Sequence, residues 1–509
     1  MAERGGRPVY ERVFVLEVSG PTLELLNERI ERLPNFRRFL RQGAWSRLRS
    51  PLQPVLPPAF ATLLTGKNPG KTGLFDFFKF PAGGYGRIPY STALLAQEPF
   101  YQLLSRRGMR VGMLNVPLTY PLPQVNGFVV SGDEGIEGDY AWPPEVTRAL
   151  DAESYYVPFG ASYAPGREVE FARRARDVIA LRRRALLRLF EDRTWQFGML
   201  TIHAFGEVLH AFWKFYDPRH PAYTPVARQP GLGDPFMDGF EALDQLLGDI
   251  VDLVGPRGLV LVVGAWSHRL EHSRVHFNAL LVNAGYLRFK RTVPAQLKWL
   301  AFRLGITAAS AERLAHDLNL YRLFHYKLGR GTRSAVTSAT FLSFGDIDWA
   351  RTRAVAMGYL GQIYLNVQGH RPRGTIAMAD YARERDTLRD LLAGIRDPRS
   401  GQPIVERVVT RDEAYSGDEL TNAPDLIVHL REGYSGQSGF SAGRLVTDAP
   451  ANHSSDHWDQ SYLLALGEGI RAGQLESRLE DVAPTVLHAL GQTVPDDYDG
   501  RVLPMFEAS

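Results

Sequence analysis

The stretch QPVLPPAFATLLTGKNPGKTGLF, residues 53–75, reads as a loop, a short helix and a tight turn in succession. Pro57 and Pro58 suit the first turn of a helix, where a missing N–H costs nothing. Gly66 suits the stop, and Asn68-Pro69-Gly70 is a turn. This geometry puts Leu56 at or beside the N-cap. Leucine offers no oxygen to the free N–H groups there, although a helix N-terminus is a natural place to hold phosphate. A local rule broken at such a point marks a site whose function is lost or altered.

Working outward, VFVLEV at Val13–Val18 is a short β-branched run followed by Ser-Gly-Pro and a helical pattern through Leu23, Leu26, Ile30 and Leu33. Strand, turn and helix in that order open an α/β unit. Candidate strands recur at Arg110–Asn115, Gln196–Ile202, Leu259–Val263, Asp425–Leu430 and Tyr462–Leu466, with helices between most of them. The implied fold is α/β: a mainly parallel sheet sandwiched by helices, with ligands expected at the carboxyl ends of the strands. A long amphipathic helix is expected over 168–192, its arginines on a solvated face. Two short strands are expected around Gly358 and Gly361.

Composition narrows the function classes. The chain has 509 residues, is 44% apolar and carries a net charge of +3, which gives no global reason to bind nucleic acid. It contains no cysteine, which excludes disulfides, thiolate metal sites and a cysteine nucleophile. The charged start MAERGGRPVYER does not read as a signal peptide, and no apolar run reaches the ~20 residues of a membrane span. A soluble, cytoplasmic protein is expected.

With these elements in place, the chain resembles the alkaline phosphatase superfamily, in particular its nucleotide pyrophosphatase/type I phosphodiesterase branch. That branch carries Thr or Ser before Pro-Pro, then an aromatic residue, a TG pair and a KNPGKHG-like turn. The resemblance extends through GEVLHAFWKFYDPRHP, VVGAWSH, DIDWARTRA, the IYLNVQG run, DHWDQSYLLALGEGI and the DVAPTVLHALG…DGRVL ending. It implies two zinc ions held by carboxylates and histidines, with the Thr or Ser between them attacking phosphorus.

The motifs, matched position by position, imply that this machinery is largely replaced. Leu56 stands at the nucleophile and Thr72 at the turn histidine. Ser19 stands for the aspartate after the first strand, Gly206 for the aspartate four residues before His210, and Ala265 and Trp266 for an Asp-His pair. Of the seven chemical positions, the turn position Thr72 not counted, only His210 and His457 keep the family's residue. Without the three aspartates, two dications lack charge compensation, and Trp266 is expected to fill their volume. The resemblance therefore implies a catalytically degenerate protein that acts by binding a partner or ligand, with no cofactor.

Two alternatives stand beside it. One is a metal-dependent hydrolase with a rearranged, mononuclear zinc site built from His210, His457 and a carboxylate, with Glu207, Asp456, His203 and His453 near in sequence. Glu207 points about 100° round a helix from Gly206 and is no simple substitute. The other is a non-catalytic binder of phosphorylated small molecules. GKNPGKT looks like a phosphate loop but has three residues, not four, between its glycines. His268 and His272 of SHRLEH read as surface or core histidines rather than ligands.

The expected organisation is an α/β core over 1–285, a basic helical insertion over 286–335 and the rest of the core over 336–509. In the insertion, Leu297, Leu300, Ala301 and Leu304 make one stripe, and Trp299 and Phe302 lie opposite, between Lys298 and Arg303. Trp299 and Phe302 are the expected anchors for a protein partner or, second to that, a membrane surface.

Overall fold

The computed structural model describes residues 9–507 except 82, 134, 135, 137, 152–154, 156–162, 309 and 312–338. The first strand, Arg12–Glu17, lies at the centre of a ten-stranded sheet. It pairs in parallel with Phe197–Thr201 on one side and Gly258–Val263 on the other. Val111–Val116 and Gly127–Ser131 continue the parallel set beyond Phe197–Thr201. Gln460–Gly467 and Ala44–Arg49 close the opposite side as antiparallel neighbours.

Period-2 alternation decides which residues enter which layer. Phe14 and Leu16 pack on one face with helices Pro34–Gln42, Glu168–Phe190, Ala204–Phe212 and Pro235–Val254. Val13 and Val15 pack on the other with helices Leu56–Thr65, Phe100–Arg106 and Val482–Ala489. The central strands are buried on both faces, so they read as continuous apolar runs.

Asp425–Leu430 does not join this sheet. Leu426–Leu430 belongs to a separate antiparallel sheet with Ala354–Ala356, Gln362–Leu365 and Val405–Thr410. An apolar run of five residues carries no signature of which sheet receives it. Gly358 and Gly361, with φ of +85° and +86°, turn the chain between the first two strands of this sheet.

The aromatic side of the helix Val293–Arg303 faces inward. Phe302 is 3% exposed and packs with Phe440, while Trp299 is half-buried against Phe289 and Phe302. Leu297, Leu300 and Leu304 are 62%, 54% and 72% exposed among the described residues. Phe302 is therefore not an accessible anchor, and Trp299 is only partly one. A helix apolar on two sides buries the side with the larger surface, here the aromatic one. Residues 309 and 312–335 of the expected insertion lie outside the described residues. Among those residues no helix is long and apolar enough to cross a membrane.

Candidate functional site

The helix Leu56–Thr65 starts with Val55 at its N-cap, without a side-chain cap, and Gly66 ends it in the left-handed region at φ +67°. Leu56 is its first residue. Pro57 and Pro58 carry no N–H, and Ala59 N–H already donates to the Val55 carbonyl at 3.1 Å, so this end has one uncommitted N–H, that of Leu56. A helix end with so few donors is a poor cradle for phosphate. The following turn is structural as well. Asn68 caps it through Gly70 N–H, Lys67 pairs with Asp497, and Lys71 with Asp499 at 2.6 Å. Both lysines that would serve a phosphate loop are neutralised by the C-terminal segment, and Thr72 is buried in the turn.

Beyond the carboxyl end of the first strand, Ser19 ties the loop after Gly258–Val263 to the first strand. Its Oγ donates to Glu17 Oε1 and accepts the N–H of Ala265 at 3.0 Å and of Trp266 at 3.3 Å. Gly20 N–H donates to the Trp266 carbonyl at 2.9 Å. The helix Ala204–Phe212 presses on the same loop, and a Cβ built on Gly206 would stand 3.3 Å from the Ser19 carbonyl oxygen. Ala265 and Trp266 are buried in the core cluster against which Leu56 packs. Trp266 lies between Phe60, with ring centroids 6.2 Å apart, and His457, at 5.0 Å. Ser19, Leu56, Gly206, Ala265, Trp266, His210 and His457 thus gather at one end of the sheet.

Glu17 was not singled out from the sequence. It is fully buried, and its Oε1 also accepts the Ala265 N–H at 3.3 Å, whereas Oε2 has no hydrogen-bond partner among the described residues. Burial pushes its carboxyl up to about 8, against the smaller opposing effect of those hydrogen bonds. Glu17 is therefore a neutral carboxylic acid at pH 7. The only sequence signal was a lone carboxylate directly after the apolar run Val13–Leu16.

The histidines meet where Ala204–Phe212 crosses two paired strands. Ser267–His276 is antiparallel to Ser455–Trp458, with His268 directly opposite His457. His210 Nε2 lies 3.1 Å from His457 Nε2, and the His210 and His268 ring centroids are 4.0 Å apart. One ring nitrogen from each of His210, His268 and His457 falls within 4.8 Å of the others. His268, read from the sequence with His272 as a surface or core histidine, is buried beside the other two. The segment is a ten-residue strand, and strand pairing brings His268 to the site.

The carboxylates expected as helpers stand aside from this group. Glu207 is exposed. Asp456 is buried and accepts the His457 N–H at 2.8 Å, and burial, with Glu271 adding to it, pushes its carboxyl up to about 7. The His453 ring lies 5.3 Å from that of His210, tilted by 58°, and His203 packs beside Phe60 and Trp266. Burial holds His210, His268 and His457 below the usual imidazole range, so all three rings are neutral at pH 7.

The donor set does not fit the two-ion arrangement that the resemblance implies. Leu56, Gly206 and Ala265 have no donor atom, the Trp266 indole has no lone pair to give, and the Ser19 oxygen is engaged by two backbone N–H groups.

A model of the type I phosphodiesterase/nucleotide pyrophosphatase family matches residues 13–456. Among solved structures the fold is similar to that of phosphonoacetate hydrolase from Sinorhizobium meliloti 1021. That match has 15% identity, covers 96% of this chain and 97% of that one, and has a TM-score of 0.55. Murine ectonucleotide pyrophosphatase/phosphodiesterase 5 matches over the same shares, at 12% identity and a TM-score of 0.49. No curated protein matches the sequence.

Proposed function

The chain belongs to the type I phosphodiesterase/nucleotide pyrophosphatase family, and from that premise we propose that it has given up two-metal phosphoester hydrolysis and acts by binding a ligand or a protein partner. The observation that carries this reading is the Ser19 junction. Where the family resemblance calls for three metal-binding carboxylates and a histidine, the chain places a hydroxyl tied to the Ala265 and Trp266 N–H groups, a glycine under the Ser19 carbonyl, an alanine and a buried indole. With Leu56 in the nucleophile position there is no oxygen to attack phosphorus and no counter-charge to hold a second cation.

The test is hydrolysis of bis(4-nitrophenyl) phosphate, 4-nitrophenyl phosphate and phosphonoacetate, the last being named for the Sinorhizobium neighbour. Zinc or manganese is present throughout. No turnover above buffer is expected. Turnover abolished both by chelator and by His210→Ala overturns the proposal. The three-histidine cluster favours one second reading, a hydrolase with a single metal and water as nucleophile. The same assay separates the two, since only the second gives turnover.

A further inference from the structure

We propose that His210, His268 and His457 form a mononuclear site for a divalent transition-metal ion of the zinc class, whether or not the protein hydrolyses anything. The argument rests on how the rings are held. His210 Nδ1 lies 2.7 Å from the Ser455 carbonyl oxygen, which only accepts, so Nδ1 carries the proton and Nε2 is a bare lone pair. Ser455 spends its hydroxyl proton on the Leu209 carbonyl at 3.0 Å. His268 Nδ1, 3.2 Å from Ser455 Oγ, must therefore donate to it, which again leaves Nε2 bare. One serine thus fixes the tautomer and orientation of two rings, the outer support that metal-binding histidines characteristically have.

His457 completes the group. Its Nε2 lies 3.1 Å from His210 Nε2, and its buried Nδ1 makes no hydrogen bond among the described residues but has the Pro54 carbonyl beside it. Without a cation, one proton on His457 either bridges the two Nε2 atoms, leaving Nδ1 bare beside a carbonyl, or sits on Nδ1, setting two lone pairs against each other. A cation held by these two Nε2 atoms and by the free ring nitrogen of His268 removes the conflict and lets the His457 Nδ1–H point toward Pro54. Metal–nitrogen bonds of about 2.1 Å at tetrahedral angles place donors about 3.4 Å apart. The 3.1 Å separation is already close to that. One ring nitrogen from each of the three histidines lies within 4.8 Å of the other two. Three neutral imidazoles with a fourth position open select zinc, cobalt(II) or nickel(II) over magnesium or calcium, which take oxygen ligands.

The experiment titrates the chelator-treated protein with cobalt(II) chloride and with zinc chloride, following the cobalt d–d absorption and the metal retained after desalting. One equivalent is expected, with the intense visible bands of a tetrahedral cobalt site. His268→Asn should abolish binding, while His272→Asn, four residues along the same strand, should leave it intact. If His268→Asn does not fold, X-ray absorption at the metal edge of the wild-type protein decides, with three imidazole nitrogens expected. No retained metal, two equivalents, binding untouched by His268→Asn, or fewer than three imidazoles each overturns the site.

Discussion

Replacing Glu17 by glutamine should change how stability depends on pH in a way that no surface carboxylate could. Glu17 stays protonated in the folded protein up to about pH 8, against an ordinary value of 4.5. Between those values unfolding releases a proton, so the wild-type protein loses stability as pH rises from about 4.5 towards 8, and below 4.5 the effect vanishes. At about 1.4 kcal/mol per pH unit, the loss between pH 5 and pH 7.5 is about 3 kcal/mol from this one group. Glutamine keeps the acceptor for Ser19 Oγ and Ala265 N–H but has nothing to ionise, so its contribution is flat over the same range. Any fixed cost of placing an NH2 at the unpartnered Oε2 position is the same at both pH values and cancels.

The assay is differential scanning calorimetry of both proteins at pH 5 and pH 7.5. With an unfolding entropy of about 2.1 cal/mol/K per residue over the whole chain, 3 kcal/mol corresponds to about 3 °C. The Glu17→Gln variant should gain about that much on the wild type between the two pH values. If the two melting temperatures move in parallel, within about 0.5 °C, Glu17 is ionised in the folded state and the reasoning about its burial fails.

Trp266→Ala should cost about 3–5 kcal/mol, because it empties volume between Phe60 and His457, and a thermal melt will register it. Leu56→Thr should produce no hydrolysis of bis(4-nitrophenyl) phosphate, since a hydroxyl without flanking cations has nothing to ionise it; activity from this single change would show that the metal sites are intact. Phe302→Ala should destabilise by about 3–5 kcal/mol while Leu300→Ser stays within about 0.5 kcal/mol, and equal melting shifts would mean the helix is turned the other way.

The sheet was legible because β-branched runs such as VFVLEV alternate with helical patterns, and both periodicities survive in the fold. What a run does not carry is its partner, so Leu426–Leu430 was assigned to the wrong sheet. The helix Val293–Arg303 shows a related limit. With apolar residues on two sides, its sequence defines two stripes but not which one meets Phe440. His268 stayed hidden for a third reason. A histidine's neighbours across a strand pair are set by register, and nothing in SHRLEH specifies that residue 268 faces residue 457.

The same end of the sheet solves its electrostatics in two different ways, and the contrast bears on what the protein has kept. Around Ser19 every group is neutral: a protonated Glu17, a hydroxyl, backbone N–H groups and an indole, arranged so that hydrogen bonds and packing do what a cation and its carboxylates would otherwise do. Filling such a space with matched neutral groups avoids the cost of buried charge. Around His210 the three rings are neutral too, but they converge as lone pairs, with Ser455 spending both its carbonyl and its hydroxyl to hold two of them. Packing alone asks for no such arrangement, since an apolar replacement of two facing imidazoles would remove the lone-pair conflict outright. A fold that had merely drifted would relax both halves in the same direction. Here one half is packed as core while the other brings three histidine ring nitrogens within 4.8 Å of one another, the arrangement proposed above to hold a single cation.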